Sequence, residues 1–488
     1  MRLALAIAFA SSLAFAAPAG PQEDPDDLKK QAQEMKGKVK EIRGLSFKKE
    51  VTVGVYSKDD LQKFIVGEFE RELPRPKAKK YEKAYKHMAL LPADDSWDLY
   101  DSLITLFSES IAGFYHPKTK ELRLIKPEAD SEDETFKQLG LDMQAVTLVH
   151  ELTHAAQDQN FDLVTVPMEE EYNDDMVAAI KCLVEGEASI VGWQYGYDNS
   201  TKLKTLMTFD QLMKANNDGY KSGALPGKAG KLPAYLRLTL TFSYGYGCEF
   251  VLACHKGYGK DWEKISKMYE DLPSSTEQVL HPEKYWKERD YPTVVSIPAL
   301  PEEWKLLCHN VHGEYPIRIL LKELKAGSSK EIEKAAAGWD GDRYAVYERN
   351  GVVSSLWYST WDTEEDAREF FDAYRKALGY KYKNAKETSA DGPVVLAIDE
   401  KRAATIERRG LDVLVLDGDA ELGKFGEKTW KGAKKQELKK VDRFVEGCWT
   451  CEKHPSVEKD VNSYCSECGE RLTKRKEKKE KKEKKDYR

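Results

Sequence analysis

Beyond its first sixteen residues the chain has no apolar run long enough to cross a bilayer, so no membrane helix is expected in the body of the protein. Charge of one sign is not in excess either. The 77 Lys and Arg against 84 Asp and Glu leave a formal net charge of −7, and that mild balance asks for no nucleic-acid partner. There is no Gly-x-Ser-x-Gly elbow and no phosphate loop, so two common catalytic frameworks are missing. What remains is 41% apolar and 33% charged, the make-up of a well-solvated globular protein. At 488 residues it exceeds one ordinary core, which predicts two or three globular units with tails.

The one apolar run is at the start. Arg2 supplies a positive charge, Leu3 to Phe15 is apolar, and Ala14-Phe15-Ala16 gives a small-x-small cleavage pattern. Residues 1–16 therefore read as a signal peptide, and the protein is expected to be exported to the periplasm or the medium. No cysteine follows, so a lipid anchor is not expected. Residues 17–38 are polar and read as a flexible lead-in.

The body reads as α+β. Val51 to Tyr56 is a strand candidate and Asp59 to Glu72 a helix. Residues 39–93 either open the main domain, 39–300, or form a small separate unit. Ile111 to Ile125 reads as strand, turn and strand, with the turn at Pro117-Lys118-Thr119. Helices are expected over Leu141 to Asp158 and Asp174 to Trp193. Residues 301–440 read as a small α+β accessory domain. Its strands are placed at Trp339 to Tyr347, Val352 to Trp357, Val394 to Ile398, Ala403 to Arg408 and Val413 to Leu416. Its helix, Thr363 to Leu378, opens on the cap pattern Thr363-x-x-Asp366. No catalytic cluster is visible there.

The informative segment is His150-Glu151-Leu152-Thr153-His154. Two histidines four residues apart lie one turn apart on one helix face, where both imidazoles can reach one metal ion. Glu151 beside them is placed to take a proton from attacking water. No Gly or Pro interrupts residues 142–160, and the flanking Ala145, Val146, Leu148 and Val149 predict a buried helix. Burying two His and one Glu without partners is costly, and a metal removes that cost. A catalytic zinc takes three protein ligands. Downstream, Glu185 and Glu187 stand in an apolar stretch of the second helix, too far apart in angle for both to serve.

With Glu185-Gly186-Glu187-Ala188 following the His-Glu-x-x-His helix, the chain resembles the gluzincins, zinc metallopeptidases whose third ligand is a Glu on the next helix. The resemblance implies a zincin-like catalytic domain, Zn2+ held by His150, His154 and Glu185, Glu151 as general base, and a peptide substrate. Glu187 is the fallback ligand. Metzincins would need a further Gly and His after His154, where Ala155 to Asn160 has neither. The resemblance also assigns the hairpin strand before the motif helix to main-chain pairing with extended substrate. Tyr244, Tyr246 and His281 are the candidates for the oxyanion donor. Asp158 is a candidate for orienting a ligand histidine. The stretch Ser275 to Tyr285 resembles a segment of bacterial exported proteins of gluzincin type and carries no assigned role.

Cysteines fall into two groups. Cys182, Cys248, Cys254 and Cys308 either pair as disulfides or are buried free thiols. Cys448-x-x-Cys451 and Cys465-x-x-Cys468 have the spacing of a zinc ribbon over 445–473, with a structural Zn2+ or two disulfides as the alternatives. That segment also resembles a small heavy-metal-binding domain, but Lys453 and Glu470 stand at its Met positions and His454 remains as a further ligand. Residues 474–488 read as a disordered charged tail. The alternative to a secreted zinc metallopeptidase is a non-catalytic exported metal-binding or interaction protein on the same scaffold.

Overall fold

The computed structural model describes residues 25–94, 97–125, 134–388, 393–453, 456–463 and 472–474. The signal peptide, His454, Cys465, Cys468 and the tail after Lys474 lie outside the described residues, and so does the side chain of Cys448.

The chain is α+β. Its N-terminal half is mainly helical: α1 (Pro25–Arg43), β1 (Thr52–Tyr56), α2 (Lys58–Glu72), α3 (Arg75–His87), α4 (Leu99–Ser110), β2 (Gly113–His116), β3 (Glu121–Ile125), α5 (Met143–Phe161), α6 (Asp174–Asn199), α7 (Phe209–Lys221) and α8 (Ala234–Gly257). The three strands form one sheet in the order β1-β3-β2, with β1 parallel and β2 antiparallel to β3. β2 is therefore an edge. Gly113 pairs with Leu124 and Tyr115 with Leu122, and the turn between the strands is the expected one.

Residues 17–38 do not form a flexible lead-in throughout, because the chain is helical from Pro25. Composition concealed the reason. Ala32, Met35 and Val39 form one apolar stripe among charged residues, and all three are buried against the rest of the core. α1 lies on α5 and α6. Its last residue, Arg43, is 1% exposed and donates from Nε to Glu187 Oε1 at 2.7 Å. The same guanidinium reaches Trp262 O at 3.2 Å and Ser266 Oγ at 3.1 Å.

The C-terminal half is built on a sheet of seven antiparallel strands. These are β5 (Lys305–Asn310), β6 (Trp339–Arg349), β7 (Val352–Trp361), β8 (Lys386–Thr388), β9 (Val394–Ala397), β10 (Arg402–Arg409) and β11 (Asp412–Asp419), in the order β5-β6-β7-β11-β10-β9-β8. Before it in the chain, β4 (Thr293–Ser296) pairs with β12 (Lys434–Glu437) from beyond the sheet. The helices α9 (Glu314–Glu323) and α10 (Glu364–Lys381) accompany the sheet, and Thr363 caps α10 by accepting from the Asp366 N–H. One continuous apolar cluster runs from Ala32 to Val441, so the two halves share a core. Polar ties cross the same boundary. His87 of α3 lies 3.2 Å from Ser355 Oγ, and Lys381 reaches both His87 O and Asp417.

A last sheet, β13 (Glu446–Thr450), β14 (Glu458–Val461) and β15 (Thr473–Lys474), has the order β14-β13-β15. It docks on the loop between α5 and α6. Ser463 Oγ donates to Glu170 at 2.8 Å and Lys459 to Glu171 at 2.7 Å. Cys182, Cys248, Cys254 and Cys308 are buried free thiols, which decides between the two readings open for them. Among the described residues no helix is long and apolar enough to cross a membrane.

The Arg43–Glu187 pair predicts a large response to removal of one partner. Arg43→Ala leaves a carboxylate buried without its counter-charge, a loss of about 3–5 kcal/mol. Urea unfolding of wild type and variant measures it, and a loss below ~1 kcal/mol would mean that Glu187 is answered by other groups.

Candidate metal centre

α5 starts where Asp142 caps it, accepting from the Ala145 N–H, and ends at Asp162, which adopts a left-handed conformation. α6 starts at Asn173, whose side chain accepts from the Met176 N–H. Both are buried on nearly all sides, so the polar residues within them must find partners inside the protein.

Three of them find one another. His150 Nε2 and His154 Nε2 are 3.0 Å apart, and Glu185 Oε2 lies 3.3 Å from the first and 3.4 Å from the second. Tetrahedral zinc with bonds of about 2.0–2.1 Å separates its ligand atoms by about 3.3–3.4 Å, so the triangle has the size such an ion needs. Glu185 Oε2 is buried yet receives no well-directed hydrogen bond, which leaves its lone pairs turned toward the space the imidazoles also face. The donor set, two imidazoles and a carboxylate, suits zinc.

Electrostatics describe the same demand for a cation. Burial pushes the His154 imidazole down, but the Glu185 carboxylate beside it prevails and raises it to about 9. Burial also pushes Glu185 up, and the two imidazoles overcome that and hold it at about 2. His150 is lowered by burial, with Glu185 opposing. Without a metal, a proton on the cluster answers the buried carboxylate.

Glu151 is 0% exposed, and its Oε2 accepts from the Tyr115 backbone N–H at 2.8 Å. The Tyr115 N–H points away from β3 toward the outer edge of β2, so the edge strand and the Glu151 carboxylate meet. The Tyr115 hydroxyl in turn donates to Asp158 at 2.7 Å, and Lys120 reaches the same carboxylate at 2.8 Å. Asp158 therefore fastens the hairpin to α5 and does not orient a ligand histidine. That contact belongs to Gln157, whose Oε1 is 2.8 Å from His154 Nδ1.

Glu187 is turned away from the cluster and held by Arg43 and by the Tyr269 hydroxyl at 3.1 Å. The fallback ligand is thus otherwise engaged. Between the two glutamates, Gly186 lies against α8. A Cβ there would stand 2.3 Å from Gly247 O, and one on Gly247 would stand 2.7 Å from Cys182 O. The two helices touch backbone to backbone, which only glycine allows. This contact carries Tyr244, 1% exposed, to the centre: its ring lies near-parallel to that of His150, with centroids 6.4 Å apart. Tyr220 stands beyond it at 5.5 Å. The other two oxyanion candidates are engaged elsewhere. Tyr246 packs against Phe242 and Tyr315, and His281 pairs with Glu314 at 3.1 Å.

The stretch from Ser275 is a structural tie. Thr276 donates its N–H and hydroxyl to Asp175 of α6 at 3.0 and 2.5 Å, and its Oγ1 accepts from the Tyr315 N–H at 3.1 Å. A second acidic group, Glu277, Asp290 and Asp362, has its cation already, since Lys284 Nζ reaches all three at 2.6–2.8 Å.

The close helix contact predicts that Gly186→Ala will force α6 and α8 apart. The expected cost is about 1–3 kcal/mol, read by chemical denaturation. An unchanged midpoint would mean that the two helices can separate freely.

Comparison with known proteins leaves the site without a counterpart. A family model described as a domain of unknown function, DUF8575, matches residues 306–425, which lie in the seven-stranded sheet and its helices and include none of His150, Glu151, His154, Gln157, Glu185 and Tyr244. No curated protein and no solved structure matches the chain.

Proposed function

We propose that the protein is a secreted zinc metallopeptidase of gluzincin type, with a zincin-like unit around α5 and α6. The observation that carries the reading is the convergence of His150, His154 and Glu185 within 3.4 Å, beside a buried Glu151 that accepts from the Tyr115 N–H of the edge strand β2.

His150, His154 and Glu185 would hold the ion. Zinc bound there would polarise the scissile carbonyl and acidify water. Glu151 takes the proton from the attacking water onto its carboxylate as the new C–O bond forms. It gives that proton to the leaving nitrogen as the C–N bond breaks, so one water is consumed per bond cleaved. The Tyr115 N–H holds Glu151 by one oxygen and keeps it in register with the β2 edge. A polypeptide is the substrate that the gluzincin resemblance implies; pairing with the β2 edge would use main-chain groups other than the Tyr115 N–H, which Glu151 holds. Tyr244, beside His150, is the residue best located to donate to the developing oxyanion. The same proposal includes export through residues 1–16 and a zinc ribbon, with structural Zn2+ on Cys448, Cys451, Cys465 and Cys468.

One observation favours the non-catalytic scaffold as the second reading. Each of the four central side chains is at most 5% exposed, so substrate entry requires an opening movement. Glu151 weighs against it, because a purely structural metal site has no use for a base beside its ligands.

Glu151→Gln separates the two. The variant should hold as much zinc as the wild type and cleave an unfolded protein ~10²–10⁴-fold more slowly. Equal zinc and no cleavage by either chain would favour the scaffold.

A further inference from the structure

We infer that Gln157 is a positioning residue that fixes which nitrogen of His154 faces the metal. The inference rests on the zinc site proposed above and goes beyond it. Gln157 is 0% exposed and has two polar ends in different environments. Its Nε2 donates to Val184 O at 3.0 Å, the carbonyl of the residue before Glu185. A carbonyl only accepts, so the amide nitrogen must lie on that side and the amide oxygen on the other. That oxygen is 2.8 Å from His154 Nδ1. An amide oxygen also only accepts, so Nδ1 must carry its proton. With Nδ1 protonated, the neutral imidazole keeps its lone pair on Nε2, the atom 3.4 Å from Glu185 Oε2. One backbone carbonyl on α6 thus sets the tautomer of a ligand on α5.

The same amide links the two ligand-bearing helices. It joins His154 to the backbone one residue from Glu185, so it sets the distance between two of the three donors as well as the direction of one. An apolar side chain of equal length would fill the space and supply neither function. A carboxylate at this position would still accept from Nδ1–H but would set an oxygen against the Val184 carbonyl.

Gln159 provides a built-in comparison. It lies on the same helix and makes three hydrogen bonds to the two of Gln157. Its Oε1 accepts from the N–H groups of Lys48 and Lys49, and its Nε2 donates to Lys49 O. None of these leads to the metal cluster. A loss due only to weakening of α5 would follow from either glutamine.

The test measures zinc affinity by chelator competition on the full chain, counting only the zinc that His150→Ala abolishes. Gln157→Met should bind that zinc ~10–100-fold more weakly, the usual effect of losing a group that orients a ligand histidine. Gln157→Glu should recover part of the loss, and Gln159→Met should leave affinity unchanged. Nitrogen-15 spectra of histidine in the zinc-loaded wild type give a reading that needs no variant to fold. They should show His154 protonated at Nδ1 and metallated at Nε2. Equal affinity of Gln157→Met and wild type, equal losses at 157 and 159, or metallation at Nδ1 would each overturn the inference and leave the zinc site standing. A wild-type chain with no zinc that His150→Ala removes would overturn the site, and the inference with it.

Discussion

Burying His150, His154, Glu151 and Glu185 together is the constraint that the surrounding structure answers. Each of these groups loses its hydration, and an unanswered charge at such a depth would cost more than a domain of this kind has to spare. Every one is therefore met by a specific partner. Glu151 accepts a strand N–H, His154 contacts an amide oxygen, and Glu185 faces two imidazoles. The need extends to the next glutamate along α6. Glu187 is as deeply buried as Glu185 and receives a guanidinium and a phenol. Two carboxylates two residues apart on one helix are thus neutralised in opposite directions, one by the cluster and one by Arg43.

The partners come from both ends of the described chain. Arg43 closes α1, and Arg443 lies just before the last small sheet. Arg443 donates to Phe161 O at 2.6 Å and to Tyr269 O at 2.8 Å. Tyr269 stacks on Phe161, with ring centroids 4.0 Å apart, and its hydroxyl reaches Glu187. The two arginines are therefore linked through one tyrosine: Arg443 holds its carbonyl, and its hydroxyl shares the Glu187 carboxylate with Arg43. Carbonyls at the end of α5 are the natural target for a cation, since the last turn of a helix leaves them without intrahelical donors. This knot makes the C-terminal end of α5 a fixed point, and the first turns of α6 are fixed in the same manner by Thr276 on Asp175.

What could be seen in the sequence divides along the distance between interacting residues. His150, Glu151 and His154 interact through one helical turn, so spacing alone placed them, and an uninterrupted apolar context predicted the helix that carries them. Five of the seven strands of the C-terminal sheet and its helix α10 were equally legible, because alternation and a Thr cap are local signals, whereas β5, β8 and α9 were not placed. Glu185 needed the resemblance, since two glutamates stood in the same apolar stretch and nothing local separated them. The structure separates them through Arg43, 144 residues away. Gln157 was hidden for another reason. An amide near the end of a helix resembles any solvated residue, and its role depends on a backbone carbonyl that carries no side-chain signature. Tyr115 is hidden more completely, because its N–H, which any residue except proline would supply, does the work on Glu151. The helix over residues 25–43 was missed because three apolar residues among many charged ones are enough when neighbouring helices provide the other side of the core.

A division of labour follows from where these residues lie. All the groups gathered at the centre come from residues 113–187 and from Tyr244, whereas the match to a domain of unknown function covers 306–425 alone. The seven-stranded sheet nevertheless shares its apolar core with the helices that carry the site. Thr276 shows how the two are joined: its hydroxyl oxygen serves Asp175 at the start of α6 and Tyr315 at the start of α9. A shift of the sheet relative to the helices must therefore be felt at the first turn of α6, ten residues and nearly three helical turns before Glu185. Along the same helix, Gly186 beside Glu185 is in backbone contact with Gly247 of α8, so α6 is tied at both its first turn and its middle. The position of Glu185 is then a property of the whole chain, although Glu185 itself belongs to a motif of four residues.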